Sequence, residues 1–234
     1  MSLLTIAQAA ADRIGIPQPT SLVGSSDQNA RMLLSLANQE GKALSRRFPW
    51  QRCTMEQTFA TVASTVAYDL PDDFDRIVEG SIWNRTQTRP VIGPITAQRW
   101  QMMQAQAITA TWQAVYIRAN QMRFTPTPTA ADTIGYEYVS KYWCGAAAST
   151  EPEQEAWEAD TDIAYLDDEC LTLGLIWRFL RAKGLDYGEA FRSYEQEVNS
   201  RMANDGGQRI LDLSSEPGYG VFAPFIEDGN WSIT

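Results

Sequence analysis

Residues 160–204 read DTDIAYLDDECLTLGLIWRFLRAKGLDYGEAFRSYEQEVNSRMAN, and their periodicity decides the fold class. Ile163, Leu166, Cys170, Leu173, Gly174, Trp177 and Leu180 recur at the spacing of one buried helical stripe. Gly184 follows Arg181 and Lys183, as at a helix end where glycine takes the left-handed cap and cations meet the negative end of the dipole. A second stripe holds Tyr187, Ala190, Phe191, Tyr194, Val198 and Met202. Two amphipathic helices joined at Lys183–Asp186 predict an αα-hairpin. The first is expected to begin near Asp162, with Asp160 and Asp162 at its cap and Asp167, Asp168 and Glu169 on a flank facing water.

The N-terminal part answers this hairpin with helices of its own. Ser26–Phe48 (SDQNARMLLSLANQEGKALSRRF) opens on a capping residue and places Ala30, Leu33, Leu34, Ala37, Leu44 and Phe48 on one face. Arg46 and Arg47 suit its C-terminal end, and Pro49 closes it. A shorter helix, about Leu3 to Ile14, precedes the breaker-rich GIPQPTSLVGS. Between Cys53 and Trp143 the period falls to two. The segments CTMEQTFAT, VAYDLP, RIVEGSIWN, WQAVYIRANQMRFTP and TIGYEYVSKYW are rich in β-branched and aromatic residues, and turn signals lie at LPDDFD and TPTPTAAD. One helix, Thr96 to about Gln106, interrupts them.

The expected fold is therefore α+β. An α-helical bundle of N- and C-terminal helices (1–50 and 159–204) carries an inserted small β-rich region with one helix (51–158). Residues 205–234 have neither period, yet Tyr219, Phe222, Phe225 and Trp231 are spaced among glycines and prolines. Disordered tails are poor in aromatics. Such a segment reads as an extended arm whose rings enter pockets on another chain, or as a strap across its own domain.

Several chemistries are excluded at this level. The chain of 234 residues has no histidine, so Ser-His-Asp and Cys-His machinery and histidine-ligated metals are ruled out. Cys53, Cys144 and Cys170 lie far apart with no CxxC pair, against a disulfide framework or a zinc site. No segment is long and apolar enough for a membrane span, and the first fifteen residues lack a signal-peptide pattern, so synthesis and assembly in the cytoplasm are expected. No phosphate-binding glycine loop or nucleophile motif is present, and no cofactor is expected.

Charge is uneven. The net charge is −10, and acidic residues crowd residues 151–200. That balance opposes a protein gripping nucleic-acid phosphates and favours one strongly negative face. Five carboxylates fall between Asp160 and Glu169, but carboxylates fanned along one helix do not converge as a metal site requires; capping and a charged assembly surface account for them better. Arg46, Arg47 and Arg52 form the one basic concentration, suited either to pairing with an acidic neighbour or to the end of a helix. Asp72, Asp73 and Asp75 in LPDDFDRI are the sole candidates for acid–base hydrolysis, and such runs after proline are ordinary turn chemistry.

The strings NQEGKALSRRFPWQ, YDLPDDFDRIVEGSIWNRTQTRPVIGPITAQRWQ, RFTPTPTAADTIGYEYVSKYW and ADTDIAYLDDECLTLGLIWRFLRAKGLDYGEAFRSYEQEV carry a more specific signal. With them, about residues 1–205 resemble the head-to-tail adaptor (connector) proteins of short-tailed bacteriophages. That resemblance implies a structural virion protein at the head–tail junction and no enzymatic role. It implies a homo-oligomeric ring, dodecameric in number, that binds the portal protein, seats the tail nozzle protein and extends the channel through which DNA passes without sequence-specific binding. The bundle would build the ring, and the arm with Tyr219, Phe222, Phe225 and Trp231 would climb onto the portal. Arg46, Arg47, Arg52, Asp160, Asp162, Asp167, Asp168 and Glu169 would serve as subunit-interface or channel charges. A tail tube or nozzle component, and a virion-associated cell-wall hydrolase, are the alternatives.

Overall fold

A computed structural model of the chain describes residues 1–105 and 112–205. Its elements run α1 (Leu3–Ile14), α2 (Gln28–Arg47), a 3-10 turn (Gln51–Cys53), β1 (Thr54–Ala60), β2 (Ala67–Asp69), β3 (Phe74–Ile77), β4 (Trp83–Asn84), β5 (Arg89–Pro90), α3 (Ala97–Ala105), β6 (Ala114–Arg118), β7 (Gln121–Thr125), β8 (Thr133–Ser140), β9 (Cys144–Gly145), β10 (Ile163–Ala164), α4 (Asp168–Ala182) and α5 (Gly188–Asp205). The fold is α+β, with antiparallel strand pairing in each sheet.

Local chemistry sets the helix ends. The Ser2 hydroxyl accepts from the Thr5 N–H and caps α1, which Gly15 ends in the left-handed conformation. Asp27 caps α2 by accepting from the Ala30 N–H at 2.9 Å, and Thr96 caps α3 by accepting from the Arg99 N–H at 3.3 Å. Gly184, at φ +73°, turns the chain from α4 into α5, so the αα-hairpin forms where the periodicity puts it.

The start of α4 differs from expectation. The helix begins at Asp168, and its cap is Asp167, whose carboxylate accepts from the N–H groups of Glu169 and Cys170 at 3.1 and 3.0 Å. Ile163 is not helical: with Ala164 it forms β10, paired to Gly145 and Cys144. Long-range pairing holds 160–166 out of the helix although its apolar spacing continues that of the helix. Similarly, RIVEGSIWN divides between β3 and β4, and WQAVYIRANQMRFTP is a hairpin of β6 and β7 turning at Ala119 and Asn120, both with positive φ.

Two main cores result. In one, Leu3, Ile6, Leu33, Leu44, Leu171, Leu175, Phe179 and Val198 from α1, α2, α4 and α5 are joined by Trp143 and Trp157, whose rings meet edge to face at 5.1 Å. Trp143 packs directly on Gly41 of α2, where any Cβ would come within 3.0 Å of its ring. The other core lies in the sheets, where β8 is central: β1 flanks it on one side and β3 and β4 on the other. Ile134, Tyr136 and Tyr138 of β8 point into this core, while Glu137 is exposed, in keeping with the period of two.

Candidate assembly surfaces

The five carboxylates of 160–169 tie the chain ends together. Asp160 accepts from the N–H groups of Leu22 (3.0 Å) and Val23 (2.9 Å), closing the α1–α2 connection onto the start of the α4 segment. Burial alone would raise its pKa, but the Val23 N–H, the Ser21 hydroxyl and the Leu22 N–H outweigh it and hold the carboxyl below its ordinary value. Asp162 is buried and accepts from the N–H groups of Glu158 (2.8 Å) and Ala159 (2.7 Å). Neither residue caps α4. Asp168 pairs with the Met1 amino group at 2.8 Å and Glu169 with Arg13 at 2.6 Å, so these two are bound to α1 and its start, not simply solvated. A count of acids therefore overstates the free negative charge here.

The arginine concentration also divides. Arg47 forms a two-pronged pair with Glu195 of α5, both contacts at 2.7 Å, and adds Asn199 at 3.3 Å. Hydrogen bonding between the two raises the Arg47 pKa and lowers that of Glu195. Arg52 lies over the Tyr165 ring, 5.3 Å from its centroid. Arg46 is exposed. With Lys42, Ser45, Ser140 and Lys141 it lines a cleft of about 140 Å³, in which Glu155 pairs with Lys141 at 3.2 Å. Among the described residues neither Lys42 nor Arg46 has an ion-pair partner.

One charged pair escaped sequence inspection. Glu40 of α2 is wholly buried and bonded to Arg178 of α4, with Gly174 giving its side chain room. Burial, with Glu40 beside it, pushes the Tyr194 hydroxyl far above its usual range. The signal was present: the α2 stripe skips from Ala37 to Leu44, and Glu40 and Gly41 occupy the positions where a stripe residue belongs.

The acids of LPDDFDRI do not converge on one point. Asp73 accepts from the Tyr138 hydroxyl at 3.0 Å, Asp75 pairs with Arg76 at 3.2 Å, and Asp72 is exposed. All three cysteines are buried and unpaired, and burial raises the Cys53 thiol to about 12. Among the described residues no three potential ligands cluster to hold a metal, and no helix is long and apolar enough to cross a membrane. Exposed apolar side chains gather instead at the α4–α5 turn, where Leu185, Tyr187 and Phe191 are exposed and the rings of Tyr187 and Phe191 pack against Trp177. The arm residues Tyr219, Phe222, Phe225 and Trp231 lie outside the described residues.

Charged side chains are thus largely committed to internal joints, and open clefts and an apolar hairpin tip remain at the surface. The model of the SU10 adaptor protein family matches residues 1–217. The chain belongs to that family and is a structural adaptor protein of a bacteriophage, a component of the virion. No curated protein matches it at a significant level. Tyr219, Phe222, Phe225 and Trp231 all fall beyond the family match.

Proposed function

We propose that this adaptor assembles as a ring beneath the portal, joins it to the tail nozzle and extends the DNA channel. The observation that carries this is the adaptor-family match over residues 1–217. The ring requires two different surfaces of one subunit to meet around an axis. The unpaired Lys42 and Arg46 supply one side of such a contact, and the exposed Glu151, Glu153 and Glu158 offer acids for either a neighbour or the channel. An anionic channel wall would let the duplex slide, since it gives phosphates nothing to bind.

In this proposal the helical segments 1–50 and 159–204 build the ring, residues 51–158 project from it, and the arm seats the subunit on the portal through Tyr219, Phe222, Phe225 and Trp231. The arm's ordering entropy is offset only where portal pockets receive those rings, which makes assembly sequential: portal first, adaptor next. Deleting residues 214–234 should leave a folded chain that no longer co-sediments with portal rings. Undiminished co-sedimentation by the truncated chain contradicts the arm's role, and a ring that forms without ever binding portal points to a tail-tube component.

A further inference from the structure

A cleft of about 800 Å³ opens where the end of α5 passes the exposed face of the five-stranded sheet. Its volume is that of clefts that enclose a ligand-sized body. Its walls are the half-buried Phe48, Met55, Val78 and Met202; Glu56 and Glu137 stand beside them. These two acids are direct cross-strand partners on β1 and β8. Like charges placed so oppose pairing unless a cation intervenes. Arg85 pairs with Glu56, but among the described residues the Glu137 carboxylate has no cation and no hydrogen bond. The cleft also runs along β1, the terminal strand of its sheet, whose outer backbone groups have no strand partner. The site therefore suits an extended peptide carrying one cation and several aliphatic side chains.

The sequence supplies such a peptide directly after the residues that line the cleft. Met202 and Ala203 line the cleft, and the Asp205 carboxylate accepts from the N–H of Gln51, another lining residue, at 2.8 Å. The sequence that follows is Gly206-Gly207-Gln208-Arg209-Ile210-Leu211-Asp212-Leu213, and Arg209 is the only Lys or Arg in residues 206–234. The two glycines permit a reversal at the helix end. Three residues lie between Asp205 and Arg209, and the four Cα–Cα steps can span up to about 14 Å from the cleft's rim. In an extended segment Arg209, Leu211 and Leu213 share one side.

We propose that residues 206–213 dock into this cleft of their own chain as an extended segment along β1, with Arg209 meeting Glu137 and the aliphatic side chains covering Val78 and Met202. The docked segment anchors the root of the arm and fixes where residues 214–234 leave the body. This holds whether or not the arm binds a portal.

Hydrogen–deuterium exchange on the full-length chain tests it. The amides of 208–213 are expected to exchange at least tenfold more slowly than in the free peptide of the same sequence. Glu137→Arg should abolish that protection, and Glu137→Arg combined with Arg209→Glu should restore it. Arg209→Glu alone, which leaves the sheet untouched, should lose protection as well and covers the case in which Glu137→Arg fails to fold. Free-peptide exchange rates in the wild-type chain, or protection indifferent to Arg209→Glu, would overturn the proposal. So would protection that vanishes on dilution, since the segment would then come from a second copy.

Discussion

Replacing Gly41 by alanine sets two effects of known sign against each other. In an ordinary exposed helix the change stabilises by about 1 kcal/mol. Here the new Cβ would overlap three ring atoms of Trp143. That ring cannot retreat: it is fully buried, it is blocked by Trp157 at 5.1 Å, and its indole N–H donates to the Glu155 carbonyl at 2.8 Å. Overpacking of a closed core costs about 1–3 kcal/mol, and an overlap of a whole methyl group with a ring belongs at the upper end. The net expectation is a loss of about 2 kcal/mol, which for a chain of this size lowers Tm by about 4–8 °C. Thermal unfolding followed by far-UV circular dichroism reads it directly. In a Trp143→Leu background the penalty should shrink by more than about 1 kcal/mol, because the clashing ring is gone. If Gly41→Ala raises Tm, or costs the same with and without Trp143, helix α2 does not rest on that indole and the packing account is wrong.

Two further perturbations probe the charges. Arg178→Met leaves Glu40 buried without its cation and should cost about 3 kcal/mol, the lower part of the range for a broken buried pair because Arg178 keeps 20% exposure. Adding Glu40→Met should recover most of that loss in a urea titration. Asp160 and Glu195 have folded pKa values below their ordinary ones, so the stability they contribute is present above the unfolded value and is lost as pH falls through the folded one. Stability of the wild type should therefore decline below about pH 4, and Asp160→Asn should flatten that part of the profile while lowering stability at pH 7. An unchanged acid limb in the variant would show that Asp160 does not hold the Leu22–Val23 turn.

Features that depend on neighbours in sequence were legible from sequence. The helical periodicity of α1, α2 and α5, the glycine turn at Gly184 and the alternation in β8 all express local pattern, and the structure has each of them, with the cap of α2 at Asp27, one residue after Ser26. Features that depend on distant partners were not. The start of α4 was misplaced because β10 is created by β9, about twenty residues earlier, and no local signal separates Ile163 from the helical spacing that follows. Ala119-Asn120 lacks the glycine that usually marks a two-residue hairpin, so β6 and β7 read as one stretch. The arginine patch looked like one surface, yet Glu195, 148 residues away, takes Arg47, and Tyr165 underlies Arg52, leaving Arg46 with Lys42. The acidic run read as a cap and a solvated flank, yet its members join the chain ends more than they face water.

Electron cryomicroscopy of the purified chain mixed with portal rings of its phage tests the central claim most directly. The expected image is a ring of adaptor subunits with an open axial hole, stacked coaxially beneath the portal, with the α4–α5 helices in the subunit contacts. A chain that stays monomeric beside undecorated portals would contradict it.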